Sequence, residues 1–133
     1  MGMIFVDTSA LFALVNSSDE DNQIAWHTWK ECIGGGDEFI TSNYTIVESI
    51  ALIQSRLGIP VVRRLLENLV PFIQVAWLDE EQHAAAIDDL LATNRRTLSL
   101  VDCASFETMR RLDIETVFTF DEHFREQGLQ VIP

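Results

Sequence analysis

Four acidic residues, Asp7, Glu48, Asp102 and Asp121, stand where folding does not require a carboxylate. Asp7 closes the apolar run Met3-Ile4-Phe5-Val6 and is followed by Thr8-Ser9, while Glu48 follows Thr45-Ile46-Val47. Asp102 comes after Leu98-Ser99-Leu100-Val101, and Asp121 after Val117-Phe118-Thr119-Phe120. Gathered by the fold, the four would offer oxygen ligands to a hard cation, Mg²⁺ or Mn²⁺, and leave positions open for water and a substrate phosphate. Each also has a plainer reading. Thr45-x-x-Glu48 and Ser99-x-x-Asp102 match a capping box, in which the acid reaches back to a backbone N–H. Asp121 can cap a last helix, and Asp79, Glu80 and Glu81 show that acids collect at helix starts for the sake of the dipole. Asp7 resists this explanation, because an unpaired carboxylate at the end of a buried strand is costly. For the other three, spacing alone leaves both readings open.

The elements that must position these acids alternate between strand and helix. Met3 to Val6 reads as a strand, and Thr8 or Ser9 can cap a helix running to about Val15. A second helix is expected from Asp19 to Ile33, opened by acids and ended by Gly34-Gly35-Gly36, then a strand at Phe39 to Thr41. Ser42 to Leu57 is a helix with Ile46, Ile50, Ile53 and Leu57 on one face; Gly58 stops it and Pro60 starts another that reaches about Val70. Strand Ile73 to Trp77, helix Asp79 to Thr93 and helix Ser99 to Leu112 follow, then strand Thr116 to Phe120, a short helix Asp121 to Gln127 and a last strand Gln130 to Ile132. This alternation implies an α/β fold, a mostly parallel sheet covered on both faces. Right-handed crossovers then bring strand carboxyl ends and helix amino ends to one edge, so all four acids are expected there.

At 133 residues the chain is read as one domain, 1–133, and with 47% apolar residues it can bury a real core. Cys32 and Cys103 belong to no metal-ligand pattern and read as free thiols in a reducing compartment. The apolar stretch Met3 to Val15 contains Asp7 and has no basic residue ahead of it, so neither a signal peptide nor a membrane span is expected, and a cytoplasmic location fits. The net charge of −12 argues against a generic nucleic-acid binder, which gains affinity from a basic surface. Any phosphate contact must be local. Among the arginine pairs, Arg95-Arg96, just upstream of Asp102, is the candidate; Arg63-Arg64 and Arg110-Arg111 are accounted for by helix faces and helix ends.

Taken together, Asp7-Thr8-Ser9-Ala10-Leu11 after the first strand, Glu48 in a helix, Ser99-x-x-Asp102 at a helix start and Thr119-Phe120-Asp121-x-x-Phe124 resemble a PIN domain, the metal-dependent nuclease fold of VapC-type toxins. The resemblance covers nearly the whole chain. It implies a parallel five-stranded sheet flanked by helices, an endoribonuclease that hydrolyses single-stranded RNA with Mg²⁺ or Mn²⁺, a homodimer, and a small antitoxin whose basic tail covers the site. By position it makes Asp7, Glu48 and Asp102 the metal ligands, with Asp121 a ligand directly or through water, and gives Thr8, Ser9 and Ser99 the task of orienting carboxylates or waters. In-line attack by a metal-activated water would leave a 5′-phosphate and a 3′-hydroxyl. The acidity remains a departure that bears on RNA affinity; the acids outside the cluster are left to solubility or a basic partner.

A noncatalytic PIN-like interaction module and a stand-alone RNA-processing nuclease are the alternatives. Phosphoaspartate folds fit poorly, since they use a lysine across the site and Lys30, in an early helix, is the only one. No histidine is required: His27, His83 and His123 read as surface or helix-face residues, of which only His123, two residues from Asp121, can approach the site. Trp26, Trp29 and Ile33 form a helical stripe that either packs into the core or receives a partner helix.

Overall fold

In the computed structural model, which describes residues 2–133, five parallel strands form one sheet in the order β3-β2-β1-β4-β5. They are β1 (Met3–Val6), β2 (Glu38–Ser42), β3 (Ile73–Ala76), β4 (Thr116–Phe118) and β5 (Gln130–Ile132). The central strand pairs Ile4 with Phe39 on one side and with Thr116 on the other. Alternation along the strands sorts the core into two layers. Ile4, Val6, Phe39 and Ile73 meet α1 (Thr8–Val15), α2 (Asn22–Gly34), α3 (Asn43–Leu57) and α4 (Ile59–Arg64) through Leu11, Trp29, Ile53 and Val62. On the opposite face Phe5, Ile40 and Val117 meet α5 (Glu80–Thr93), α6 (Leu100–Arg111) and α7 (His123–Glu126) through Ala86, Phe106, Met109 and Phe124.

Of the stripe Trp26, Trp29 and Ile33, the two tryptophans pack into the core and Ile33 stays exposed. Trp29 is buried and stacks on Phe39 with ring centroids 4.3 Å apart, an anchor whose truncation to alanine costs about 3–5 kcal/mol. Trp26 packs edge-on against it and donates its indole N–H to the carbonyl of Leu14 at 3.0 Å. Both cysteines are buried free thiols.

Several boundaries differ from the sequence expectation, each for a local reason. Asp7 itself caps α1, accepting from the Ser9 amide, so neither Thr8 nor Ser9 is the cap. The second helix starts at Asn22 because Asp19 Oδ1 accepts the Asp21 amide at 2.8 Å, and this side-chain turn competes with helix. Ser42 caps α3 through the Thr45 amide at 3.2 Å, which removes the capping-box explanation for Glu48. The helix expected to run to Val70 is α-helical only to Arg64; it widens to a π turn over Leu65–Leu69 and tightens to a 3₁₀ turn over Val70–Phe72, where Pro71 has no N–H to continue it. The fourth strand stops at Phe118 and the last helix begins at His123, because residues 119–121 are held by side chains at the sheet edge.

Candidate active site

Asp7 leaves the central strand at its carboxyl end, with its amide bonded to the Phe118 carbonyl at 3.0 Å, so β1 and β4 deliver Asp7 and Thr119-Phe120-Asp121 to the same edge. Its carboxylate is buried, with 4% of the residue exposed. The Thr119 hydroxyl donates to Asp7 Oδ2 at 2.8 Å and the Ser9 hydroxyl donates to the same oxygen at 2.9 Å. Each hydroxyl accepts a backbone N–H in return, Ser9 from Phe120 at 2.9 Å and Thr119 from Asp121 at 3.0 Å. These bonds put both hydroxyl protons on Oδ2 and leave Oδ1 without a side-chain donor, with a lone pair for a ligand. Burial lifts the Asp7 pKa from 3.8 to about 6; the two hydroxyls and the Thr8 amide oppose it, and repulsion from Asp102 adds to it.

Asp102 arrives from the other face of the sheet, in the first turn of α6. The capping box expected there is present: the Asp102 amide donates to Ser99 Oγ at 3.1 Å and the Ser99 amide donates to Asp102 Oδ2 at 3.0 Å. The cap does not compete with a metal role, because it fixes one oxygen of the carboxylate and leaves Oδ1 open. Burial raises the Asp102 pKa and the Asp121 charge pushes the same way, against the Ser99 bonds and His123. Asp121 is held likewise, its Oδ1 accepting the His123 amide at 2.9 Å while Oδ2 takes no bond.

His123 completes the group. Its Nδ1 lies 3.2 Å from Asp121 Oδ1 and 3.7 Å from Asp102 Oδ2, and one donor atom each from Asp102, Asp121 and His123 fall within 4.8 Å of one another. Sequence reasoning required no histidine and allowed only His123 to approach the site, and it gave no role to Thr119; the Asp121-x-His123 spacing, one short turn, carried the signal. Among the described residues no arginine or lysine pairs with Asp7, Asp102 or Asp121, and the one ionisable nitrogen beside them is His123 Nδ1. Three carboxylates with free oxygens, one of them buried, are a donor set that fits a divalent cation.

The remaining candidates are placed less centrally. Glu48 sits in the second turn of α3, half-buried, in an apolar groove formed with Tyr44, Val47 and Val101; its carboxylate has no ion pair or hydrogen bond among the described residues, and Val101, the neighbour of Asp102, lies between it and the cluster. Beside it the Tyr44 hydroxyl is hydrogen-bonded to His83 Nδ1 and ties α3 to α5. Ser9 and Ser99 orient carboxylates as expected. The Thr8 hydroxyl, for which a carboxylate or a water was the expected partner, is buried and has no hydrogen-bond partner among the described residues. Arg95 is occupied by Glu126 of α7 at 2.9 Å, while Arg96 is exposed. His27 is a surface residue paired with Glu31.

Comparison with known proteins identifies the family and the fold. Residues 4–128 match the PIN domain. The chain is 30% identical over 127 residues to the 23S rRNA-specific endonuclease VapC20 of Mycobacterium tuberculosis, covering 95% of each sequence. The crystal structure of that protein, described as a sarcin-ricin loop cleaving toxin, superposes with a TM-score of 0.85 at 27% identity and 95% coverage of both chains. At the level of fold alone, the toxin–antitoxin complex VapBC2 of Rickettsia felis, solved on promoter DNA, gives a TM-score of 0.72 at 9% identity over 99% of this chain and 98% of that one. FitAB bound to a DNA fragment gives 0.71 at 18% identity over 98% and 94%.

Proposed function

Because this chain belongs to the PIN domain family, we propose that residues 1–133 form a single metal-dependent endoribonuclease domain, the toxin of a toxin–antitoxin pair. The observation that carries the reading is the convergence of Asp7, Asp102 and Asp121 at one sheet edge, each with an oxygen pinned by the protein and another left open. Asp7, Asp102 and Asp121, with Glu48 beside them, would hold Mg²⁺ or Mn²⁺, which when bound would supply positive charge at a scissile phosphate and make a bound water acidic enough to attack. The chain's own residues prepare that chemistry. Ser9 and Thr119 fix the Asp7 carboxylate, Ser99 fixes Asp102 and the His123 amide fixes Asp121, so little reorganisation is required when substrate arrives. The Thr8 hydroxyl, buried without a protein partner, is the group placed to hold a water. Water adds to phosphorus and the bond to the 3′-oxygen breaks, giving a 5′-phosphate and a 3′-hydroxyl.

The relative's substrate, 23S rRNA, makes a single-stranded loop of ribosomal RNA the first substrate class to try. An acidic body of net charge −12 suits a partner with a basic tail, as expected of a small antitoxin, and a homodimer and a cytoplasmic location are proposed with it. No helix among the described residues is long and apolar enough to cross a membrane. The test is cleavage of ribosomal RNA and of an unstructured RNA by the purified chain. EDTA is expected to abolish cutting and added Mn²⁺ or Mg²⁺ to restore it. Undiminished cutting in EDTA removes the metal mechanism; no cutting with either ion leaves the chain an interaction module.

A further inference from the structure

His123 enters the carboxylate cluster by a local route. The Asp121 carboxylate accepts the His123 amide at 2.9 Å, and that turn swings the imidazole to the same side as the acid. The ring is largely enclosed, with 19% of the side chain exposed, and Nδ1 is the enclosed atom: it is buried and makes no hydrogen bond. An unpartnered ring nitrogen facing two carboxylate oxygens is an expensive arrangement unless something binds it. A structural hydrogen bond to Asp121 does not explain it, because the 3.2 Å contact lacks hydrogen-bond geometry and that oxygen already serves the backbone amide.

The separations match a different use. An ion about 2.1–2.2 Å from its ligands sets adjacent donors roughly 3.0 Å apart at right angles and about 3.5 Å apart in a tetrahedral arrangement. The 3.2 Å from Nδ1 to Asp121 lies in that range and the 3.7 Å to Asp102 is a few tenths of an ångström beyond it, so a small inward shift of side chains already within 4.8 Å of one another would seat an ion. Each carboxylate oxygen has a second lone pair, so the backbone bonds that pin Asp102 and Asp121 do not exclude an ion. We infer that His123 Nδ1 is a direct ligand of the divalent ion held by Asp102 and Asp121, and that this nitrogen makes the site prefer Mn²⁺ to Mg²⁺. The inference rests on the metal-dependent reading of the carboxylates given above. Its chemical basis is that imidazole suits transition ions, whereas Mg²⁺ seeks oxygen and keeps its waters. The acids bring charge; the histidine brings selection.

The experiment reads the ion and not the reaction. EDTA-stripped full chain is loaded with one equivalent of Mn²⁺ and its pulsed electron paramagnetic resonance spectrum recorded, with calorimetric titrations of Mn²⁺ and Mg²⁺ alongside. The wild type is expected to show modulation from a directly bound imidazole nitrogen. His123→Gln is expected to lose that modulation and to bind Mn²⁺ tenfold or more weakly, with Mg²⁺ affinity changed less than threefold. His27→Gln and His83→Gln should keep the modulation, so the assignment survives even if His123→Gln fails to fold. A nitrogen-free Mn²⁺ complex in the wild type overturns the histidine ligand and leaves the carboxylate site standing. Equal loss of Mn²⁺ and Mg²⁺ affinity in a folded His123→Gln overturns the selectivity, and a wild type that binds neither ion overturns the metal site itself.

Discussion

Helix α6 carries Asp102 in its first turn and Glu107 towards its last, and both side chains are largely enclosed, at 13% and 11% exposure. Their surroundings differ. Glu107 accepts from Arg111 Nε at 2.6 Å and from Arg110 Nη2 at 2.7 Å, and Arg110 also reaches Asp89 at 2.7 Å. The Arg111 bond, with help from Arg110, holds its pKa below the usual carboxylate range. At the other end Asp102 and its neighbour Asp7 have hydroxyl and amide donors but no arginine or lysine, and burial drives both pKa values up. A carboxylate enclosed for the sake of the fold brings its cation in the same sequence, one helical turn away. A carboxylate enclosed without one has a vacancy that a proton or a metal ion must fill.

The largest expected effect separates the two ends by activity. In a single-stranded RNA assay with Mn²⁺, Asp7→Asn and Asp102→Asn should each lower the cleavage rate a hundredfold or more, since loss of a ligand disturbs both charge and water position. Glu107→Gln should change it less than threefold in protein that is still folded. A folded Glu107→Gln as inactive as Asp7→Asn would break the comparison.

The next effect is the slope of stability with pH in EDTA. The Asp7 pKa is raised from 3.8 to about 6, so the folded state holds the proton more tightly than the unfolded chain. That stabilisation is complete below about 3.8 and is lost as pH rises through 6. Across that window the wild type should lose up to about 3 kcal/mol relative to Asp7→Asn, measured by urea denaturation between pH 4 and pH 7. Glu107 should show the opposite slope: its stabilisation is present above its ordinary 4.5 and is lost as pH falls through the lowered value. That loss should be small, because its arginine partners are 55% and 38% exposed and solvent screens them. Parallel slopes for the two acids would mean that Asp7 is not the uncompensated charge described here.

The smallest effect tests the double duty of Asp102. Asparagine keeps an acceptor for the Ser99 amide while removing the charge, so Asp102→Asn should melt a few degrees above wild type in EDTA. Asp102→Ala, which loses the acceptor as well, should gain less or melt lower. On addition of Mn²⁺ the wild type should gain more than either variant, because only an intact site couples ion binding to the native state. If Asp102→Asn melts below wild type in EDTA, the cap outweighs the repulsion at that position.

Local chemistry wrote much of this protein into its sequence. The strand runs, the glycine and proline stops and the apolar periodicity determined which segments are strands and which are helices, and hence that the sheet is parallel and that Asp7, Asp102 and Asp121 share its carboxyl edge. The Ser99-Asp102 capping box was likewise legible, because both partners lie within one turn. Other features depended on contacts between distant segments. Thr119 meets Asp7 only because β4 pairs with β1, and Arg95 is taken up by Glu126 only because the loop before α6 lies against α7. Glu48 takes no part in a helix cap because the α3 cap is Ser42, one strand end earlier than the spacing of Thr45 and Glu48 suggested. His123 was two residues from a candidate acid, yet the direction of its ring and the burial of its Nδ1 belong to a turn against α6. Sequence fixes which groups are present and their local geometry; the unpaired charge of the site arises from which distant segments pack together, and the tertiary structure alone decides that.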